Sequence, residues 1–297
     1  MIHAYVFWYG DILVAYGLCG LVVFLLRKLS PKRLLGLGIV ALAVGSLIFI
    51  FFGWSIPYWP QENYQQSLQH WMPSQESIQA EIAAYRGGWL EQMSHRVPAT
   101  MVMQTFLFLT FMSWRCGGLM LIGMALFKWG ALAAQRSKRF YWIMMGTGLG
   151  VGAPLVIYGI LRDFAAGWSY DYSMFLGSQF NYWGSIPMAL GYVAIVMLIC
   201  KSGLWEKLVR RSAAVGRMAL TNYLVQTIIC TTIFYGHGLG LFGRVERPGQ
   251  MAIVVGIWIL QLVISPLWLR SFQFGPGEWL WRTLTYLKVQ PVRRRAA

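Results

Sequence analysis

Read for its hydrophobic pattern, the chain is a series of long apolar runs divided by short polar and basic stretches. Runs over 11–27, 33–53, 99–128, 139–161, 183–200, 214–235 and 250–270 approach or exceed the ~20 residues that carry a helix across hydrocarbon, and they predict about seven spans. Residues 1–10, MIHAYVFWYG, lack the basic start and small-residue cleavage site of a signal peptide and read as the tail of a partial helix. Two other stretches are amphipathic. Within 54–98, Ile78, Ile82, Tyr85, Trp89 and Met93 recur at three- and four-residue spacing and draw one apolar stripe down a helix. That helix is expected to lie on the outer membrane surface or cap the bundle, simple covering being the favoured role. In FGPGEWLWRTLTY, residues 274–286, Gly275 and Pro276 suit a helix start, and Glu278 sits in the first turn, four residues before Arg282. Trp279, Trp281 and Tyr286 anchor this short helix at the cytoplasmic interface. The expected fold is all-α: one polytopic transmembrane bundle over 1–297, with an extracytoplasmic loop at 54–98 and a cytoplasmic interfacial helix and basic tail at 272–297.

Composition agrees with this pattern. Hydrophobic residues make up 57% of the 297 positions and charged residues only 12%, against about a quarter charged in soluble domains. Long unbroken apolar runs argue against a β-barrel, whose strands alternate. The net charge of +15 raises the question of nucleic acid, and the placement of the basic residues answers it. Nineteen of the 25 lysines and arginines fall on one set of loops: Arg27 to Arg33, Lys128 to Arg139, Lys201 to Arg217 and Arg270 to Arg295. Arg86, Arg96, Arg162, Arg244 and Arg247 fall on the other, and Arg115 lies inside a run. By the positive-inside rule the C-terminus is expected in the cytoplasm, with the Arg293–Arg295 tail drawn to anionic lipid. Charge thus follows topology, and no nucleic-acid partner is expected. Cys19, Cys116, Cys200 and Cys230 sit in apolar runs without ligand spacing; they read as small core residues, and no metal is required.

Candidate chemistry lies where polar groups enter the apolar runs. GRMALTNYLVQTIICT, residues 216–231, carries Asn222 and Gln226 four apart, hence on one helix face, with Gly216 and Ala219 small enough to admit a neighbour. The amides either line a polar site or fasten two helices together. Asp11 opens the first full run and Arg115 lies within the third, where a charge costs at least ~2.5–3.5 kcal/mol on insertion scales. The two are expected to pair or converge on one cavity, or else Asp11 is hydrated at the interface. His3 precedes Asp11 by eight residues, and a histidine beside a carboxylate is equipment for a general base. His70, His95 and His237 read as structural. Gly146, Gly148, Gly150 and Gly152, followed by Pro154, predict close helix packing with a kink rather than a nucleotide loop, which needs a preceding strand.

The blocks HAYVFWYGDILVAYGLCGL (3–21), WRCGGLMLIGMAL (114–126), GRMALTNYLVQTIICTTIFYGHGLGL (216–241) and FGPGEWLWRTLT (274–285) resemble the YeiB family of bacterial inner-membrane proteins, a family of unknown function. Proteins of that type open with roughly three further spans and a Leu-Asp-x-x-Arg-Gly element, so the present chain is expected to be truncated or to have its start misassigned. The resemblance implies kinship with transmembrane acyltransferases, including heparan-type glucosamine N-acetyltransferases and bacterial sugar O-acyltransferases. In those relatives a late helix carries a glycine, a tyrosine seven residues on and a histidine ten on. Gly216 and Tyr223 match; Gln226 stands at the histidine position, and an amide cannot act as a base. The relatives' catalytic histidine lies in an early segment outside this chain.

The expected activity is transfer of an acyl group from cytoplasmic acyl-CoA, such as acetyl-CoA, to a small-molecule or glycan acceptor on the other side. His3 and Asp11 are the expected catalytic pair. Arg217, with Arg210 and Arg211, would receive the CoA phosphates. Asn222, Tyr223 and Gln226 would hold the donor, and Arg115 would balance charge. A transporter or exporter, or a catalytically incomplete subunit of a membrane complex, is the alternative. The bilayer is the expected partner, with a homo-oligomer allowed.

Overall fold

The computed structural model describes residues 1–293. Its helices, in chain order, are α1 (Ile2–Val6), α2 (Leu13–Leu25), α3 (Pro31–Ser55), α4 (Gln61–Trp71), α5 (Gln75–Arg86), α6 (Met93–Gln104), α7 (Ser113–Lys128), α8 (Lys138–Ala165), α9 (Ser178–Ser202), α10 (Glu206–Arg217), α11 (Ala219–Phe234), α12 (Arg247–Ser271) and α13 (Pro276–Tyr286). π-helical turns at Phe108–Met112 and Tyr170–Gly177 lead into α7 and α9. Among the described residues the only β pairing is one isolated bridge, Phe272 to Arg293. Arg294 and Arg295, part of the expected basic tail, lie outside the described residues.

Among the described residues, five helices are long and apolar enough to cross a membrane: Pro31–Tyr58, Met93–Lys128, Lys138–Ala165, Tyr170–Ser202 and Arg247–Ser271. The other two expected spans are shorter. Leu13–Leu25 has 13 residues and Ala219–Phe234 has 16, about 20 and 24 Å of helix against a hydrocarbon layer of about 30 Å.

Contacts divide the chain into two compact units: Tyr9–Ser77 and Pro98–Gly203 with Met1 in one, Ile2–Trp8, Ile78–Val97 and Leu204 onward in the other. The first is a helix bundle made close by glycine. A Cβ at Gly148 would stand 2.5 Å from the Pro187 carbonyl oxygen, and one at Gly152 would stand 2.6 Å from the Met188 nitrogen. Those two glycines let α8 press backbone to backbone on α9. Gly146 and Gly150 have open space around them, so only one of the two predicted small-residue pairs makes the contact. Gly38 and Gly118 do the same for α3 and α7. Val23, Leu34, Leu121 and Ala125 form one buried cluster and Leu42, Ile122 and Tyr182 another.

The second unit corrects two readings. The stripe predicted to run down one helix to Met93 is broken: α5 ends at Arg86, and Gly87–Gly88 intervene before α6. Ile78, Ile82 and Tyr85 do face inward, and Tyr85 stacks on Phe242 at 4.9 Å. The predicted span 214–235 is likewise two helices, divided at Met218 (φ −114°, ψ 30°). Gly216 and Ala219 are therefore exposed, and a Cβ at Gly216 would meet nothing within 4 Å; neither admits a neighbour. The cause lies far along the chain, 57 residues beyond Thr221. Glu278 Oε1 accepts the Leu220 and Thr221 N–H groups at 2.6 and 3.1 Å, which caps a new helix start where the sequence alone reads straight through. Glu278 is thus engaged on α11 and not with Arg282, whose guanidinium lies 4.5 Å over the Phe274 ring. Of the cysteines, Cys19 is buried but Cys200 is exposed, so the core reading fails for Cys200.

Candidate functional site

The polar residues of α11 divide between two adjacent faces. Asn222 and Gln226 share the face turned to α12. Asn222 Nδ2 donates to Ser265 Oγ at 3.1 Å, Gln226 Nε2 donates to Gln261 Oε1 at 2.9 Å, and Gln261 Nε2 donates to the Asn222 carbonyl at 3.0 Å. Asn222 Nδ2 also reaches the Val215 carbonyl at 3.1 Å, across the break before α11. These amides are occupied as a fastening between helices, one of the two roles the sequence left open. Gln261 and Ser265 were missed there, although two polar residues four apart in an apolar run carry the same signal as Asn222 and Gln226.

One residue further round the helix, Tyr223 and Thr227 face His3. His3 is 7% exposed, and its Nε2 lies 3.0 Å from Thr227 Oγ1. Its ring centroid lies 5.0 Å from that of Tyr223. Thr227 Oγ1 also donates to the Tyr223 carbonyl at 3.2 Å. His3 Nε2 donates to Thr227 Oγ1 or accepts from it according to the tautomer of the ring.

What holds α1 against α11 is a buried arginine. Arg96 Nη1 donates to the Val6 carbonyl at 2.6 Å, and Trp89 Nε1 donates to the same oxygen at 3.1 Å. Arg96 Nη2 donates to Gln92 Oε1 at 2.7 Å, and Gln92 Nε2 donates to the carbonyls of Tyr85 and Gly87 at 3.1 and 3.0 Å. Gln92 and Arg96 are both fully buried. The cation is balanced by carbonyl-type acceptors and by the Trp89 and Tyr235 rings, each 5.9 Å from its centre, a case of cation–π support in a desolvated setting. Partial desolvation and the nearby Arg96 charge hold the imidazole of the exposed His237 below its ordinary range. Sequence reasoning placed Arg96 and His237 in a loop; the one signal pointing to Arg96 was its position against the positive-inside bias.

The remaining expected site residues are placed as follows. Asp11 belongs to the first unit, is buried, and accepts the Val14 N–H at 3.0 Å, capping α2. Arg115, in the same unit, donates to the Tyr182 carbonyl at 2.9 Å and to Ser185 Oγ at 2.8 Å, and lies 4.3 Å over the Tyr182 ring. The groups described around the Arg115 guanidinium are a carbonyl, a hydroxyl and a ring of α9. Arg217 is exposed and donates to the Gln273 carbonyl at 3.3 Å, with Arg210 and Arg211 exposed on the same helix.

The family described as "Protein of unknown function (DUF418)" matches residues 126–288. The chain is 35% identical over 303 residues to uncharacterized protein YeiB of Escherichia coli (strain K12), covering 98% of this chain and 74% of that protein. This chain belongs to the DUF418 family. It is also 33% identical over 309 residues to uncharacterized protein YxaH of Bacillus subtilis (strain 168), covering 99% of this chain and 70% of the relative. No solved structure matches it. Within the DUF418 stretch lie Arg217, Asn222, Tyr223, Gln226, Gln261 and Glu278, whereas His3, Asp11, Arg96 and Arg115 precede it.

Proposed function

We propose that this DUF418 protein is a transmembrane acyltransferase of the bacterial inner membrane, with α2 and α11 completing seven spans and the C-terminus on the cytoplasmic side. The observation that carries the reading is the buried His3 seated on Tyr223 and Thr227. The helix motif of the acyltransferase relatives wants a histidine beside its tyrosine; position 226 holds glutamine, but His3 brings an imidazole to Tyr223 from α1. Arg217, Arg210 and Arg211 offer exposed cations for the phosphates of acyl-CoA. Asn222 and Gln226 fix α11 on α12, which keeps Tyr223 and Thr227 turned to His3. In the reaction the acceptor hydroxyl or amine gives its proton to His3 as its oxygen or nitrogen attacks the thioester carbonyl. The carbon–sulfur bond then breaks, and the CoA thiolate takes the proton back.

The test is the full chain in lipid nanodiscs, incubated with radiolabelled acetyl-CoA and a bacterial envelope glycan fraction. Label moving into the glycan or another envelope acceptor is the expected result. The absence of both acetyl-CoA binding and label transfer would overturn the reading and leave transport ahead.

A further inference from the structure

The first unit holds a groove that the acyl-transfer reading does not use. It has a volume of about 390 Å³ and runs between α7 and α9. Arg115 and Ser185 stand at one end, and the rest of its lining is apolar, including Leu119, Leu126, Ala189 and Val193. From Arg115 to Leu126 is eleven residues of one helix, about 16 Å at 1.5 Å per residue. That is close to the depth of one leaflet, about half of a 30 Å hydrocarbon layer.

Two observations point to an occupant. First, the guanidinium at the mouth has no carboxylate partner among the described residues, and its hydrogen bonds go to the Tyr182 carbonyl and Ser185 Oγ. Arginine carries five N–H donors, so an anion has donors to meet, and an unpaired cation within an apolar helix is costly. Second, the groove wall includes Gly123, where a Cβ would meet nothing within 4 Å. The wall is open there because the side chain is missing, not because a neighbour fills it.

We infer that this groove binds one acyl chain of an anionic phospholipid, with the phosphate on Arg115 and the chain lying along α7 and α9 toward Leu126. Charge complementarity selects the head and the apolar lining selects the chain. Arg115 lies thirteen residues, about 20 Å, from the basic end of its helix at Lys128. The lipid therefore enters from the leaflet at the opposite end of that helix, where a long arginine side chain reaches toward the headgroup level. This inference stands without the acyl-transfer reading, since it involves none of the residues around His3.

Native mass spectrometry of the full chain, released from detergent with defined lipids, tests it. Phosphatidylglycerol should be retained at one copy per chain, about tenfold more tightly than phosphatidylcholine with the same chains. Gly123→Leu places a side chain into the open wall without meeting a neighbour, so the protein should fold while retention falls about tenfold or more. Arg115→Gln should abolish the preference for the anionic head and leave a weak chain-dependent association. Unchanged retention in Gly123→Leu, with a thermal midpoint equal to that of the unaltered chain, would overturn the site. Equal retention of both phospholipids by the unaltered chain would overturn the role of Arg115, and retention of oleate without either phospholipid would overturn the choice of occupant.

Discussion

The carboxylate of Glu278 gives the sharpest structural prediction, because one side chain explains why α11 begins where it does. Its Oε1 accepts two backbone N–H groups of the first turn, Leu220 and Thr221, and its Oε2 accepts the Thr221 hydroxyl at 2.5 Å. That hydroxyl oxygen in turn accepts the Gly277 N–H at 2.9 Å, so the start of α13 and the start of α11 are tied reciprocally. Replacing Glu278 by alanine leaves two first-turn donors without an acceptor, at about 1–3 kcal/mol each if both stay dry. The side chain is only partly buried, so water recovers part of this, and the net loss is about 2–3 kcal/mol, near the upper range for helix caps. A chain of this size loses roughly 2–4 °C of Tm per kcal/mol, which makes a drop of about 5–10 °C. Glu278→Gln keeps a neutral acceptor and should cost about 1 kcal/mol. Thermal unfolding in detergent reads both, and amide hydrogen exchange at Leu220 and Thr221 should rise selectively in the alanine variant. A Tm within about 1 °C of the unaltered chain, with exchange at those two amides unchanged, would refute the cap.

Three further outcomes follow from other parts of the chain. Gly148→Val and Gly152→Val should prevent proper packing of α8 on α9, since each Cβ runs into the backbone of α9. Gly146→Ala and Gly150→Ala, with nothing within 4 Å, should be neutral or stabilise by up to about 1 kcal/mol through helix propensity; expression and Tm of the four variants check the contrast. A double-mutant cycle on Gln226→Leu and Gln261→Leu should give a coupling of about 0.6 kcal/mol, the usual value for such a pair in a membrane helix bundle. For His237 the folded-state pKa is depressed, so the unfolded chain binds more protons around and below the ordinary value of 6.5. Stability should therefore rise as pH increases through that region and fall on acidification, and His237→Asn should flatten that part of the Tm–pH curve.

The membrane character of the chain and the helices α3, α7, α8 and α12 were legible because each is a long run with few charges, and bilayer thickness leaves little freedom in how such a run is used. What could not be read was how distant residues act on local structure. The break at Met218 depends on Glu278, far along the chain, whose expected local partner Arg282 it does not take. Asn222 and Gln226 were correctly placed on one face, but periodicity cannot say whether that face meets a cavity or the amide of Gln261. His3 was singled out on its short distance from Asp11, while its contacts in the second unit are Thr227 and Tyr223, more than two hundred residues away. Arg96 was counted among loop charges because its neutralisation comes from carbonyls and rings, which leave no pattern of opposite charge in a sequence.

The acyl-transfer account rests on His3 acting as a base at Tyr223 and Thr227, and its rate dependence tests this directly. The measurement is release of CoA thiol from acetyl-CoA by the full chain in nanodiscs with the envelope glycan fraction present as acceptor, compared with the His3→Gln variant at equal Tm. The account predicts a rate lowered by about 100-fold or more, the contribution of a positioned general base, with acetyl-CoA binding retained. Equal rates in the two proteins would contradict it.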